Sequence, residues 1–126
     1  MIKVSYDRER NAVIIEFAGK INIAEAERSY PEIQKVVSKA GKGFKLLTDL
    51  TLVEVMESEV QATIKKTMDF LNKQGVTEIM RVVPAPEKDL GFNILSLFHY
   101  SKKVRFLTLN SREEAEERLN GEDSEK

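Results

Sequence analysis

Phe44-Lys45-Leu46-Leu47-Thr48-Asp49-Leu50-Thr51 decides the fold. Its first six residues form a short, largely apolar run between Gly43 and Asp49, with the length and character of a strand in an α/β sheet. An amphipathic pattern lies on each side of it. Upstream, Ile23, Ala26, Tyr30, Ile33, Val37 and Ala40 recur at spacings of three and four behind Asn22, a helix N-cap, until Gly41 stops them. Pro31 sits inside this helix without an N–H to bond back one turn, so a kink or a break into two helices is expected there. Downstream, Val60, Ile64, Met68 and Leu71 form an apolar stripe that starts from Glu57 or Ser58 and ends at Gly75. Lys65, Lys66 and Lys73 lie off the stripe. A strand flanked by helices in this way implies parallel neighbours joined by crossovers.

Farther out, Ile2, Val4 and Tyr6 alternate with polar residues, and Ala12-Val13-Ile14-Ile15-Glu16-Phe17 follows the polar stretch 7–11, which reads as an opening β-hairpin. Val76 to Val83 is a strand ended by Pro84-Ala85-Pro86, which cannot continue a ladder. Asp89 caps a short helix to about Tyr100, and Val104 to Leu109 is the last strand. Ser111 opens the final helix, with Glu114 placed three residues on as a capping box requires. Residues 50–56 read as an unusually apolar connection between strand and helix. The expected architecture is α/β, a five-stranded mixed sheet in the order β-β-α-β-α-β-α-β-α. One domain spans residues 1–120, and 121–126 form a frayed tail with no apolar side chain.

Composition narrows the function. The chain has 126 residues, enough for one core without staples, and 41% of them are hydrophobic against 33% charged, which is globular usage. Twenty basic residues nearly cancel twenty-one acidic ones, so no whole-molecule field draws in phosphate backbones, and nucleic acid is not an expected partner. Zero cysteines remove thiol catalysis, disulfides and thiolate metal sites, and a single histidine excludes a multi-histidine site within one chain. No metal and no cofactor are expected. No stretch approaches the roughly 20 apolar residues of a membrane span, and Met1-Ile2-Lys3-Val4 begins a strand where a signal peptide needs an apolar run. The expected location is the cytoplasm, with no membrane partner.

The element order, the second strand Asn11-Ala12-Val13-Ile14-Ile15-Glu16-Phe17-Ala18-Gly19, the stretch Gly43-Phe44-Lys45-Leu46-Leu47-Thr48-Asp49-Leu50 and the closing helix Ser111-Arg112-Glu113-Glu114-Ala115-Glu116-Glu117-Arg118-Leu119 carry a family likeness. Over nearly its whole length the chain resembles the SpoIIAA-like branch of the STAS family, named for sulfate transporters and anti-sigma factor antagonists. The resemblance implies a SpoIIAA-like fold and a non-enzymatic binding or regulatory module. In classical members the loop after the third strand reaches Asp-Ser-Ser-Gly-Leu, whose serine is phosphorylated and controls docking. Aligned from Asp49, that motif falls on Glu57-Ser58-Glu59-Val60-Gln61. Ser58 matches the first serine, Glu59 takes the place of the second, and the glycine is absent. If the acceptor is the second serine, a fixed negative charge stands where other members switch one.

Several residues invite a role beside a plain structural one. The Ser58 hydroxyl at a helix start reads as a cap accepting from a backbone N–H; as a phospho-acceptor it would face repulsion from Glu57 and Glu59. Asp49 and Thr51 end a strand where ligands of open α/β sheets sit, but an Asp there also bonds the chain that follows. Arg81 interrupts an apolar strand, which reads as snorkelling to water or pairing with a carboxylate such as Asp49. Gly41-Lys42-Gly43 is too short for a phosphate loop and precedes a strand rather than a helix.

In the helix Asp89–Tyr100, Leu90, Ile94, Leu97 and Phe98 suffice for a core face, yet Phe92 and Leu95 point away with His99 beside them. Such a helix is buried twice: under a neighbouring loop, in a homodimer seam, or against a partner or ligand. Together with Leu52, Val53, Val55 and Met56 this face is expected to hold a protein partner or a second copy of the chain; the alternative is a carrier of a small apolar or lipid-like ligand. Any ligand-sized pocket is expected to touch residues 50–58 and 84–92, where helix N-termini offer donors. An enzyme is the least supported reading, because no nucleophile, base or metal constellation can be assembled.

Overall fold

A computed structural model describes residues 1–83 and 104–121. The helix expected over Asp89–Tyr100, with Phe92, Leu95 and His99, lies outside the described residues, as do the prolines 84 and 86 and residues 122–126. Five strands, β1 (Ile2–Asp7), β2 (Ala12–Ile21), β3 (Lys45–Met56), β4 (Glu78–Val82) and β5 (Arg105–Leu109), form one sheet in sequential order. β1 pairs antiparallel with β2, and all other pairs are parallel. This is the mixed five-stranded α/β sheet expected from the sequence.

Helices α1 (Ile23–Ser38) and α2 (Val60–Lys73) connect neighbouring parallel strands, and right-handed crossovers of that kind fall on one face of a sheet. There they cover Val13, Ile15, Leu46, Leu50 and Ile79 with Ile33, Val37, Ile64, Met68 and Leu71. The third described helix, α3 (Arg112–Leu119), lies on the opposite face, where Ala115 and Leu119 meet Ala12, Ile14, Leu47, Met80 and Val82. Asn22 caps α1 as expected, its side-chain oxygen accepting from the Glu25 N–H at 2.8 Å. In α3 the Ser111 hydroxyl accepts from the Glu114 N–H at 3.1 Å, and the Glu114 carboxylate accepts from the Asn110 N–H, one residue before the cap. Gly75 supplies the left-handed stop after α2 with φ of 90°, a conformation that costs a residue without Cβ little.

Two expectations about the elements fail. α1 runs unbroken through Pro31. Pro31 and Glu27, whose carbonyl loses its partner one turn back, are both exposed, so that carbonyl is open to solvent rather than buried without a donor. The apolar connection 50–56 is no loop: β3 continues to Met56, beside an equally extended β2.

Candidate functional site

The extension of β3 owes its form to two bulges. Glu16 faces Asp49 and Ala18 faces Leu52; Gly19 faces Val53 and Lys20 faces Val55. In each interval β3 carries one extra residue, which resets the alternation of side chains between faces. Leu50, Val53 and Met56, spaced by three, therefore all turn into the core under α1 and α2. Leu52 and Val55 turn outward and remain 70% and 51% exposed. Of the four apolar residues singled out in this stretch, two belong to the core and two to the surface. Exposed Glu54, Glu57 and Glu59 flank the outward pair in sequence.

Ser58 follows in the turn between β3 and α2. The N-cap position belongs to Glu59, which makes no side-chain cap bond, so the capping role expected of the Ser58 hydroxyl is not taken up. Backbone carbonyls do that work: Glu57 accepts from the Val60 N–H at 2.9 Å and Ser58 from the Gln61 N–H at 3.1 Å. A tightened first turn satisfies its own donors, and the Ser58 side chain stays exposed.

Where β3 passes from its covered to its open half, Asp49 is held from two sides. Its Oδ1 accepts from the Thr51 hydroxyl at 2.7 Å and the Thr51 N–H at 3.0 Å, and its Oδ2 accepts from Arg112 Nη1 at 2.9 Å. The same Nη1 donates to Glu16 Oε2 at 2.9 Å, while Arg112 Nε donates to Glu116 Oε2 at 2.8 Å. Arg10, in the hairpin turn, pairs with Glu116 at 2.8 Å and with Asp7 at 2.6 Å. Burial pushes the Asp49 carboxyl up, but the Thr51 and Arg112 donors more than reverse this and hold it below the usual carboxylate range. Glu116 behaves alike: burial raises it, and Arg112 with Arg10 bring it below its ordinary value. Burial would lower Arg112, yet its bonds to Glu16, Glu116 and Asp49 raise it instead. Asp49 is thus engaged in a clasp that ties α3 to β2 and β3.

Arg81 does not pair with Asp49. Its register partner is Thr48, so it occupies the sheet face opposite to Asp49. Only 2% exposed, it donates to the Thr108 hydroxyl, and its guanidinium lies 4.7 Å from the centre of the Phe106 ring. The cation belonging to Asp49 is not Arg81 but Arg112. Its contacts span 63 and 96 positions of chain. The available signals were Glu16 inside an otherwise apolar run and the i,i+4 spacing of Arg112 and Glu116.

Between the sheet and α1/α2 lies a cavity of about 30 Å³, touching Leu50, Met56 and Val60 as well as Ile2, Phe17 and Ile33. Its lining is apolar except for hydroxyls, among them that of Thr48, which is buried without a hydrogen-bond partner among the described residues. It meets the expected pocket only at its β3 side; the 84–92 side lies outside the described residues.

No family model matches the chain, and no curated protein matches its sequence. Solved structures do match in shape. An uncharacterized protein of the DUF3478 family with a SpoIIAA-like fold, from Shewanella loihica PV-4, superimposes with a TM-score of 0.69 at 12% identity, over 94% of this chain and 92% of that one. The anti-sigma factor antagonist SpoIIAA in its unphosphorylated form gives a TM-score of 0.68 at 15% identity, over 96% and 99%. The chain therefore has the SpoIIAA-like, STAS-type fold that the sequence resemblance implied. No helix among the described residues is long and apolar enough to cross a membrane.

Proposed function

We propose that this chain is a non-enzymatic, cytoplasmic protein-binding module that docks its partner on the open half of β3. The observation that carries this reading is the pair Leu52 and Val55, 70% and 51% exposed on the half of β3 that pairs with β2 alone among the described residues. Leu52 left in water forgoes the roughly 1.5–3 kcal/mol that burying such a side chain contributes, and a partner can recover it. Phe92, Leu95 and His99, expected from the sequence to join this face, lie outside the described residues. A neighbour in fold is named an anti-sigma factor antagonist, a name that describes action against another protein. Carriage of a small apolar ligand has less support: ligand pockets usually measure roughly 300–1,000 Å³, and the one groove of that size, between α1 and α2 among the described residues, is open and lined largely by charged side chains. The cavity of about 30 Å³ admits a water or two.

With Glu59 in the place of the second serine of the resembled motif, docking is read as independent of phosphorylation. Both parts can be tested in protein from its native cell. Replacing Leu52 and Val55 by Glu should abolish association while leaving the circular dichroism spectrum unchanged. An unaltered association would refute the docking face, and a stoichiometric phosphate on Ser58 by intact mass would refute the second part.

A further inference from the structure

The face opposite to Leu52 and Val55 carries a surface of complementary chemistry. Between α1 and α2 an open groove of about 430 Å³ is lined by Tyr30 and Phe70 and by Lys65, Lys66 and Lys73, with Asp69 the one carboxylate among the described lining residues. The two rings meet edge to face with centres 6.0 Å apart, and Lys66 Nζ lies 4.4 Å from the Tyr30 ring centre. Lys65 and Asp69 form an exposed pair at 3.5 Å, a separation that leaves both open to other partners. The groove is aromatic and cationic. The open end of β3 is aliphatic, with exposed Glu54, Glu57 and Glu59 near it in sequence and exposed Lys20 paired across from Val55.

We infer that the partner of the β3 end is a second copy of this chain, whose α1–α2 groove receives Leu52 and Val55 while its lysines meet Glu57 and Glu59. This rests on the docking reading above and names its occupant. Opposite charges steer encounter and fix register, and apolar contact at the centre supplies affinity. The formal net charge of −1 sets no long-range repulsion against self-association. Exposed carboxylates also occur on α3, at Glu113 and Glu117, but the apolar side chains there, Ala115 and Leu119, are buried and offer nothing to an aromatic groove. Leu52 and Val55 face away from α1 and α2, so the contact is head-to-tail, and each copy can both give and receive.

Charge exchange tests this directly by sedimentation velocity. The wild type should associate with rising concentration and dissociate as salt screens the charges. Glu57→Lys with Glu59→Lys should be monomeric alone, as should Lys66→Glu with Lys73→Glu, each weakening association on the order of tenfold or more. Mixed in equal amounts, the two variants should associate again, and so should one chain carrying all four changes. Renewed association also certifies that both variants are folded. A wild type that stays monomeric at low salt, a groove variant that associates like the wild type, or variants that fail to associate on mixing would each overturn the inference. If a wild-type monomer still captures another protein through Leu52 and Val55 in its native cell, the docking face stands and only the second copy is refuted.

Discussion

β3 consists of two halves in opposite surroundings, and the more apolar half, with five apolar residues of seven against two of five, is the less covered one. Along Lys45–Asp49 it is paired with β2 on one side and β4 on the other, and Leu46 and Leu47 are fully buried. Along residues 50–56 its only strand neighbour among the described residues is β2, and every outward apolar side chain meets water. In the first half an apolar residue is a core residue whichever face it takes. In the second half, face decides, and the bulges assign it. The contrast sets a test of the proposed docking face: substitutions before Asp49 should act on folding, and outward substitutions after it, if that face docks a partner, on association.

The largest expected effect breaks the first half. Leu46→Ala removes a side chain with 0% exposure and should cost about 2–5 kcal/mol, as cavity-forming substitutions in cores do. Leu52→Ala, the same chemical change six residues on, should stay within about 0.5 kcal/mol. Urea titration of the two variants measures both. A comparable loss of stability in each would show that the exposed half is also covered in solution.

The clasp at the junction should give an intermediate effect. Arg112→Ala leaves Asp49 and Glu16 without their shared cation in a partly buried setting and should cost about 1–3 kcal/mol. Exposure of the pairs to solvent places the outcome toward the lower end. Asp7 titrates with this group as well: the bond from Arg10 lowers it against a smaller effect of burial. Folded Asp7, Asp49 and Glu116 thus bind protons less readily than the unfolded chain does. Their contribution is fully present above the ordinary carboxylate range, roughly pH 4, and is lost as pH falls through the lower folded values. Urea midpoints should therefore fall with acid in the wild type and fall less steeply in Arg112→Ala. Parallel slopes would mean that the clasp does not set the acid response.

Much of this strand's context was legible because it is local. Asn22, Ser111 and Gly75 act within a turn of their own position, and three-and-four spacing marks α1 and α2 without reference to the rest of the chain. The end of β3 was not legible, because a spacing of three at Leu50, Val53 and Met56 is no strand period until two bulges make it one. Nor was the partner of Asp49. Thr48 and Asp49 sit side by side in sequence on opposite faces of the sheet, so Arg81 and Arg112 could be told apart only by register. As for the site, Leu52 and Val55 were named with Val53 and Met56 as one apolar set, and composition alone could not split it.

The smallest expected effect concerns Ser58, and it contrasts two serines that read alike in sequence. Ser111 and Ser58 each precede an amphipathic run, and both were expected to cap it. At α3 the hydroxyl accepts from the Glu114 N–H, so Ser111→Ala should cost about 1 kcal/mol. At α2 the first turn is closed by the carbonyls of Glu57 and Ser58 themselves, which no side-chain change removes. Ser58→Ala should therefore leave stability within about 0.5 kcal/mol, the usual range for surface substitutions. Thermal melts of the pair at one pH measure the difference. A cost for Ser58→Ala equal to that for Ser111→Ala would restore the capping role in solution. The expected null instead leaves Ser58 an exposed hydroxyl between two exposed carboxylates, with no part in the stability of the helix behind it.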